Sequence, residues 1–258
     1  MKIGIEKLLQ WAFVQELCVR DIAEAGGPSS SSSNFTMIME MLELGAIIDR
    51  SRNVMAASSA VTLEPHLDAL AVADAVRDLA DHRFVIADDW EPFTDWADDY
   101  GLVSEAVRSE IEAFRLRGDR ANGRRAANLV ICSAILGRGP DWFAEKPEER
   151  IVERRGQQAW FISKTAKDGF GRSYEFEVDG YDRKRKRPMR GAYRKMELAE
   201  PIRSEIISRM EWKLWQDALV CLRKSLANQL SFYDVEPFAP DYAPWMRMRK
   251  NADKFVSA

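Results

Sequence analysis

The feature that most constrains the fold is a long run of apolar residues at three-four spacing near the C-terminal end. Trp212, Trp215, Leu219, Leu222 and Leu226 recur along residues 200–233 with polar residues between them. That period places them on one face of a helix. A helix this long, with two tryptophans on its stripe, needs a large opposing surface: other helices, a hairpin, or a second copy in a homodimer. The chain can supply it, since 258 residues with 46% hydrophobic side chains suffice for one large domain or two small ones.

Other helical periods come earlier. Residues 6–24 place Leu8, Leu9, Ala12, Phe13 and Leu17 at helical spacing, and Gly26, Gly27 and Pro28 end the run. The serine run 29–33 reads as a loop. Asn34 then caps a second helix carrying Met37, Ile38, Met41, Leu42 and Leu44. Residues 51–64 are small and polar and read as a connection. Pro65 opens a third helix, with Asp68 and Asp74 on its polar side and Leu67, Leu70, Ala71, Ala75, Val76 and Leu79 available to the core. His66 beside it reads as a surface or capping residue. Residues 125–137 form a strongly apolar helix stopped by Gly139 and Pro140.

The period changes to two after Gln158. Trp160 and Ile162, then Tyr174, Phe176 and Val178, alternate with polar residues around a turn at Lys167, Asp168 and Gly169, which predicts a β-hairpin. Residues 237–244 are proline-rich and read as an extended surface tail. The expected fold is mainly α: a helical bundle with a helix-turn-helix-like segment and one β-hairpin before a long C-terminal helix. Residues 1–140 are expected to form a helical domain, and residues 141–258 the hairpin, a basic loop and the long helix.

Charge is unevenly placed. The net value is -3, yet residues 88–99 hold six carboxylates and no base, while residues 182–195 hold eight bases and one acid. Three segments therefore stand out. Residues 93–114 have the spacing of a helix-turn-helix: Ala97 lets two helices approach, Gly101 turns, and Leu102, Val107 and Ile111 face inward. On a DNA-reading pair, Ser104, Glu105, Arg108 and Ser109 would face the groove, and Arg115, Arg117, Arg120, Arg124 and Arg125 would reach phosphates. Plain packing of two short helices explains the same spacing, and the acidic first helix would repel phosphates.

The second segment is Arg183, Lys184, Arg185, Lys186, Arg187, Arg190, Arg194 and Lys195, with Tyr181 and Tyr193 among them. It reads either as a grip on a phosphate backbone or as a solvated loop. In the third, Trp90, Phe93, Trp96 and Tyr100 recur among carboxylates, which suits core packing or docking of a positively charged partner.

Catalytic patterns are missing from the sequence. His66 and His82 each stand alone, and no HExxH, paired CxxC, GxSxG or GxxxxGK[ST] occurs. The neighbouring acids Asp88 and Asp89, or Asp98 and Asp99, would point apart on a helix rather than share a metal. No enzyme, metal or cofactor is expected. Cys18, Cys132 and Cys221 are odd in number and distant, as free thiols in the cytoplasm would be. No apolar run approaches the roughly 18 residues that a membrane span needs.

Residues 8–13 (LLQWAF), 137–142 (GRGPDW) and 171–195 (GRSYEFEVDGYDRKRKRPMRGAYRK), together with the Trp-rich helix, resemble an uncharacterised family of prophage and gene-transfer-agent proteins of Proteobacteria. The resemblance implies a phage setting and DNA, RNA or RNA polymerase as partner, by association rather than by physics. The expected function is a phage-type DNA-binding transcriptional regulator, a late-gene activator or anti-terminator. The alternatives are an RNA-polymerase-binding factor that does not read DNA, or a small-terminase-like packaging or structural protein.

Overall fold

The computed structural model describes residues 1–17 and 65–247. Cys18, the serine run, the helix expected after Asn34 and the connection at 51–64 lie outside the described residues. The described chain is mainly helical. α1 (Ile5–Gln10) continues into a wide π turn at Trp11–Glu16, and α2 (Leu67–Asp78) into a 3-10 turn at Leu79–Asp81. α3 (Leu102–Arg117), α4 (Asp119–Leu136) and α5 (Arg203–Leu226) complete the described helices. No described helix is long and apolar enough to cross a membrane.

α4 lies at the centre and meets the other four helices. It can do so because its buried side is built from small residues: Asn122, Gly123, Ala126, Ala127, Ser133 and Ala134 surround Val130 and Ile131. Small side chains let backbones approach closely. At Gly123 the approach is extreme, since a Cβ there would stand 2.5 Å from the Ala80 carbonyl oxygen and 2.6 Å from that of Leu79. The helix expected over residues 125–137 starts earlier, at Asp119, and only Gly118, at φ 84°, separates it from α3. Buried Asn122 donates from Nδ2 to the Phe114 carbonyl at 3.0 Å, which satisfies an end group of α3.

α5 fulfils the expectation of a long amphipathic helix. Ile206, Met210, Leu214, Trp215, Ala218, Leu219, Leu222 and Leu226 are buried in the core that also holds Ile5, Leu8, Val72 and Val130. The chain after it packs back onto the helix. Trp212 donates from Nε1 to the Asp241 carbonyl, the Asp241 N–H donates to Gln216 Oε1, and Trp245 is buried. The proline-rich tail is thus hydrogen-bonded to α5, beyond the surface role expected of it.

Asp68 corrects the reading of α2. It is 1% exposed, whereas Leu67, expected in the core, is 74% exposed. The Asp68 carboxylate accepts the N–H groups of Ser231, Phe232 and Tyr233 and the Ser231 hydroxyl, at 2.7–3.0 Å. His66 caps the same helix through Nδ1, which accepts from the Asp68 N–H. The turn held by Asp68 leads into the last described strand, which pairs with the first.

The strands are short. β1 (Lys2–Ile3) precedes α1. β2 (Glu149–Ile151), β3 (Glu153–Arg154), β4 (Gln157–Gln158), β5 (Phe161–Lys167), β6 (Ser173–Asp179), β7 (Tyr181–Asp182), β8 (Arg187–Pro188) and β9 (Met196–Leu198) lie between α4 and α5, and β10 (Asp234–Val235) follows α5. β1 pairs with β10 in parallel; β2 with β9, β3 with β4, β5 with β6 and β7 with β8 are antiparallel. Residues 149–198 therefore leave the helices after α4, make three hairpins and return at β9 beside β2. The expected hairpin is β5–β6, and it is one of three.

Two measurements check this packing. Gly to Ala inside a helix is ordinarily stabilising. At Gly123 the sign reverses, because backbone carbonyls block the methyl group. Gly123→Ala is expected to lower stability by about 2 kcal/mol in urea unfolding. Burial alone would raise the Asp68 carboxyl, but its four hydrogen bonds outweigh it and bring the pKa from 3.8 down to about 2. A carboxyl depressed in the fold stabilises above its unfolded pKa and loses that contribution as pH falls through the folded value. That contribution is about 2 kcal/mol. Asp68→Asn should destabilise at neutral pH and flatten the loss of stability between pH 3.8 and about 2 in acid unfolding curves.

Candidate nucleic-acid interface

The three hairpins form an arm whose charge opposes the rest of the molecule. Residues 150–195 hold 14 Lys and Arg against six Asp and Glu, which leaves 24 against 35 in the remainder. The acids of the arm serve its geometry. Asp168 accepts from the Phe170 and Arg172 N–H groups and so shapes the tip between β5 and β6. Asp182, the one acid in the basic run, accepts from the Lys184 and Arg185 N–H groups. It thereby folds the turn that displays its basic neighbours. Asp179 accepts from the Tyr181 N–H, and this bond holds its carboxyl below the usual range. Glu177 is held low by Lys195 and Tyr193, and it raises the Tyr193 hydroxyl in return.

Some of the cations are paired. Arg150 meets Glu197 at 2.9 Å, Arg183 meets Asp179 at 3.4 Å, Arg185 meets Asp182 at 3.8 Å, and Lys195 meets Glu177. Arg154 lies over Phe161 at 4.9 Å and Arg194 over Trp160 at 4.6 Å. Arg155, Lys164, Lys167, Arg172, Lys184, Lys186, Arg187 and Arg190 are exposed and form no ion pair with a described residue. The expected basic segment is thus a displayed turn: residues 183–190 are all exposed, and Lys186 has a left-handed backbone at φ 51°.

The helix-turn-helix expectation fares differently. Its second helix exists as α3, with Ser104, Glu105, Arg108 and Ser109 exposed and Val107 and Ile111 buried. The first helix of that pair, expected over residues 93–100, does not form; residues 92–100 are turns, a bend and irregular chain. The segment instead meets Arg209, on α5, which is 1% exposed. It donates from Nη1 to the Pro92 carbonyl at 2.6 Å and to Asp95 Oδ1 at 2.5 Å, and from Nη2 to Asp95 Oδ2 at 2.9 Å. Its guanidinium lies 4.6 Å from the Phe93 ring, 5.6 Å from Trp96 and 4.4 Å from Trp245. Phe93 and Trp96 stack on each other at 4.1 Å. Four groups from residues 92–96 therefore converge on one buried cation and tie this segment to α5.

The surface around α3 is acidic. Asp98 accepts from the Val103 and Ser104 N–H groups and from the Ser104 hydroxyl, so the start of α3 already holds a carboxylate. Those bonds keep Asp98 below its usual pKa against the effect of burial. Ser104 and Arg108 line a cleft of about 400 Å³ together with Asp88, Asp89, Glu91 and Asp98. A phosphate approaching there meets four carboxylates. Of the arginines expected to bind phosphate, Arg115 pairs with Asp88 and donates to the Ile86 carbonyl, Arg117 lies 5.4 Å from the Phe114 ring, and Arg125 pairs with Glu211; Arg120 and Arg124 are exposed and form no ion pair with a described residue.

Sequence reasoning missed Arg209. The available signal was an arginine beside Ile206 and Met210 on an otherwise apolar stripe, which requires a buried acid elsewhere in the chain. Cys132 and Cys221 are free, as expected, and burial raises both thiols. No group of His, Cys, Asp or Glu among the described residues could hold a metal ion. No family model, curated protein or solved structure matches the chain.

Removing one partner of a buried ion pair costs far more than an exposed pair would. Arg209→Met should lower stability by about 3 kcal/mol in urea unfolding. It should also release the Trp96 and Trp245 environments, seen as a change in near-ultraviolet circular dichroism of the folded state.

Proposed function

We propose that this protein binds nucleic acid through its basic arm, by contact with the phosphate backbone. The observation that carries the reading is charge segregation: 14 cations against six acids in residues 150–195, with the rest of the chain acidic. Such a field attracts a polyanion to the arm and turns it away from the helical body. The acids within the arm hold its turns, while Lys184, Lys186, Arg187 and Arg190 are exposed and have no ion partner among the described residues. Phosphate contacts position a ligand and carry no sequence information, so the reading is of a backbone binder. In the phage setting that the resemblance implies, this suits a regulator acting on its template or transcript. Docking of a protein partner on the acidic–aromatic segment has less support, because Phe93 and Trp96 already pack around Arg209.

The test is fluorescence anisotropy of a labelled oligonucleotide across a salt series. Binding should weaken steeply with salt, and each lost phosphate contact should reduce the log–log slope by about 0.7 to 0.9. Combined Lys184→Ala, Lys186→Ala, Arg187→Ala and Arg190→Ala should reduce the slope by about 3 and weaken low-salt binding at least about tenfold. Combined Ser104→Ala, Arg108→Ala and Ser109→Ala should change neither. Absence of binding at low salt, or loss only with the α3 variant, would overturn the reading.

A further inference from the structure

We infer that the ligand of the arm is a single strand whose bases stack on the outer face of β5–β6; the inference rests on the reading of the arm as a nucleic-acid interface. The register of the hairpin sorts its side chains into two unlike faces. Opposed residues share a face in an antiparallel pair, and the face alternates along each strand. The pairs Ile162↔Val178, Lys164↔Phe176 and Ala166↔Tyr174 therefore lie together on one side. The pairs Phe161↔Asp179, Ser163↔Glu177 and Thr165↔Glu175 lie on the other. All three carboxylates of β6 fall on the second face, where Lys195, Tyr193 and Arg183 engage Glu177 and Asp179. The strand residues of the first face carry a single charge, Lys164.

That first face presents aromatic rings to solvent. Tyr174 is 52% exposed and Phe176 39%, with ring centroids 5.9 Å apart, and Phe170 at the hairpin tip is 92% exposed. A two-stranded hairpin is too thin to hide these rings in a core of its own. Large apolar side chains grouped and exposed in this way mark a contact surface. Lys164 stands directly across from Phe176, and Lys167 and Arg172 flank the tip. At the opposite end β7 begins just after Gly180 and leads into the basic turn at residues 183–186. Lys164 thus shares the ring face, Arg172 and the basic turn lie beyond its two ends, and every β6 carboxylate is turned away, on the face that also takes Lys167.

A duplex would engage the cations and leave the rings without a role, because its bases are stacked on one another. An unpaired strand offers a base face to each ring and a phosphate to each cation. Every base has such a face, so recognition on this surface tolerates any sequence. The chemistry fits single-stranded DNA or RNA better than duplex.

The experiment compares anisotropy of labelled oligo-dT with a duplex of equal length, using the full chain. Oligo-dT should bind at least about tenfold more tightly than the duplex. Tyr174→Ala with Phe176→Ala should weaken oligo-dT at least about tenfold and leave the duplex unchanged. The ring-keeping variant, Tyr174→Phe with Phe176→Tyr, should bind like the parent, which separates lost stacking from a damaged hairpin. Equal or tighter binding of the duplex, or an alanine variant that binds oligo-dT normally, overturns the stacking inference while the backbone-binding reading stands. Failure to bind either oligonucleotide sinks both. A dimer in light scattering that the alanine variant abolishes would assign the face to a second copy and overturn the inference.

Discussion

A guanidinium inside a helical core has to be neutralised on the spot, and the arrangement around Arg209 follows from that. The cation sits on the buried side of α5 at 1% exposure, where an unpartnered charge would cost several kcal/mol. Asp95 supplies two oxygens and Pro92 a carbonyl, while Phe93, Trp96 and Trp245 supply ring faces. One side chain thereby fixes residues 92–96 and the C-terminal tail against the same helix. Phe93 and Trp96, two of the rings that would serve a docking surface, pack against it, and the backbone that would form the first helix of a DNA-reading pair turns around the cation.

The acids of residues 88–98 gather near the start of α3, and the net positive charge falls on a different kind of structure. The arm between α4 and α5 has little core. Phe161 and Ala159 are its buried apolar residues, and Arg154 and Lys195 lie over Phe161. Its shape comes instead from ladder hydrogen bonds and from aspartates that tie turns. Asp168, Asp179 and Asp182 each accept backbone N–H groups two to four residues on. An arm built this way exposes nearly every cation it carries. Those cations repel one another, and the repulsion is relieved by an approaching polyanion.

Periodicity was readable wherever an element was long. The stripe of α5 and the alternation of β5–β6 both run for seven residues or more, and both appear in the structure. Two-residue strands such as β3, β4, β7 and β8 leave no period to read. Asp68 and Asp74 were paired on one polar side of α2, yet six residues at roughly 100° each place them about 120° apart around the helix. Asp68 faces the core and Asp74 faces solvent. The three-four recurrence of Trp90, Phe93, Trp96 and Tyr100 imitated a helix face. It reflects instead rings from a turn segment, Phe93 and Trp96 among them, packed around one cation, and its partner lay more than a hundred residues away on another apolar stripe. The basic segment was legible as composition. That Asp182 folds it into a displayed turn required coordinates.

The claim that the arm, and not α3, meets nucleic acid is tested most directly by hydrogen–deuterium exchange of the full chain with and without oligo-dT. Slowed exchange confined to β5 through β8, with residues 102–109 of α3 unchanged, is the expected result. Slowed exchange across the start of α3 with an unaffected arm would contradict it.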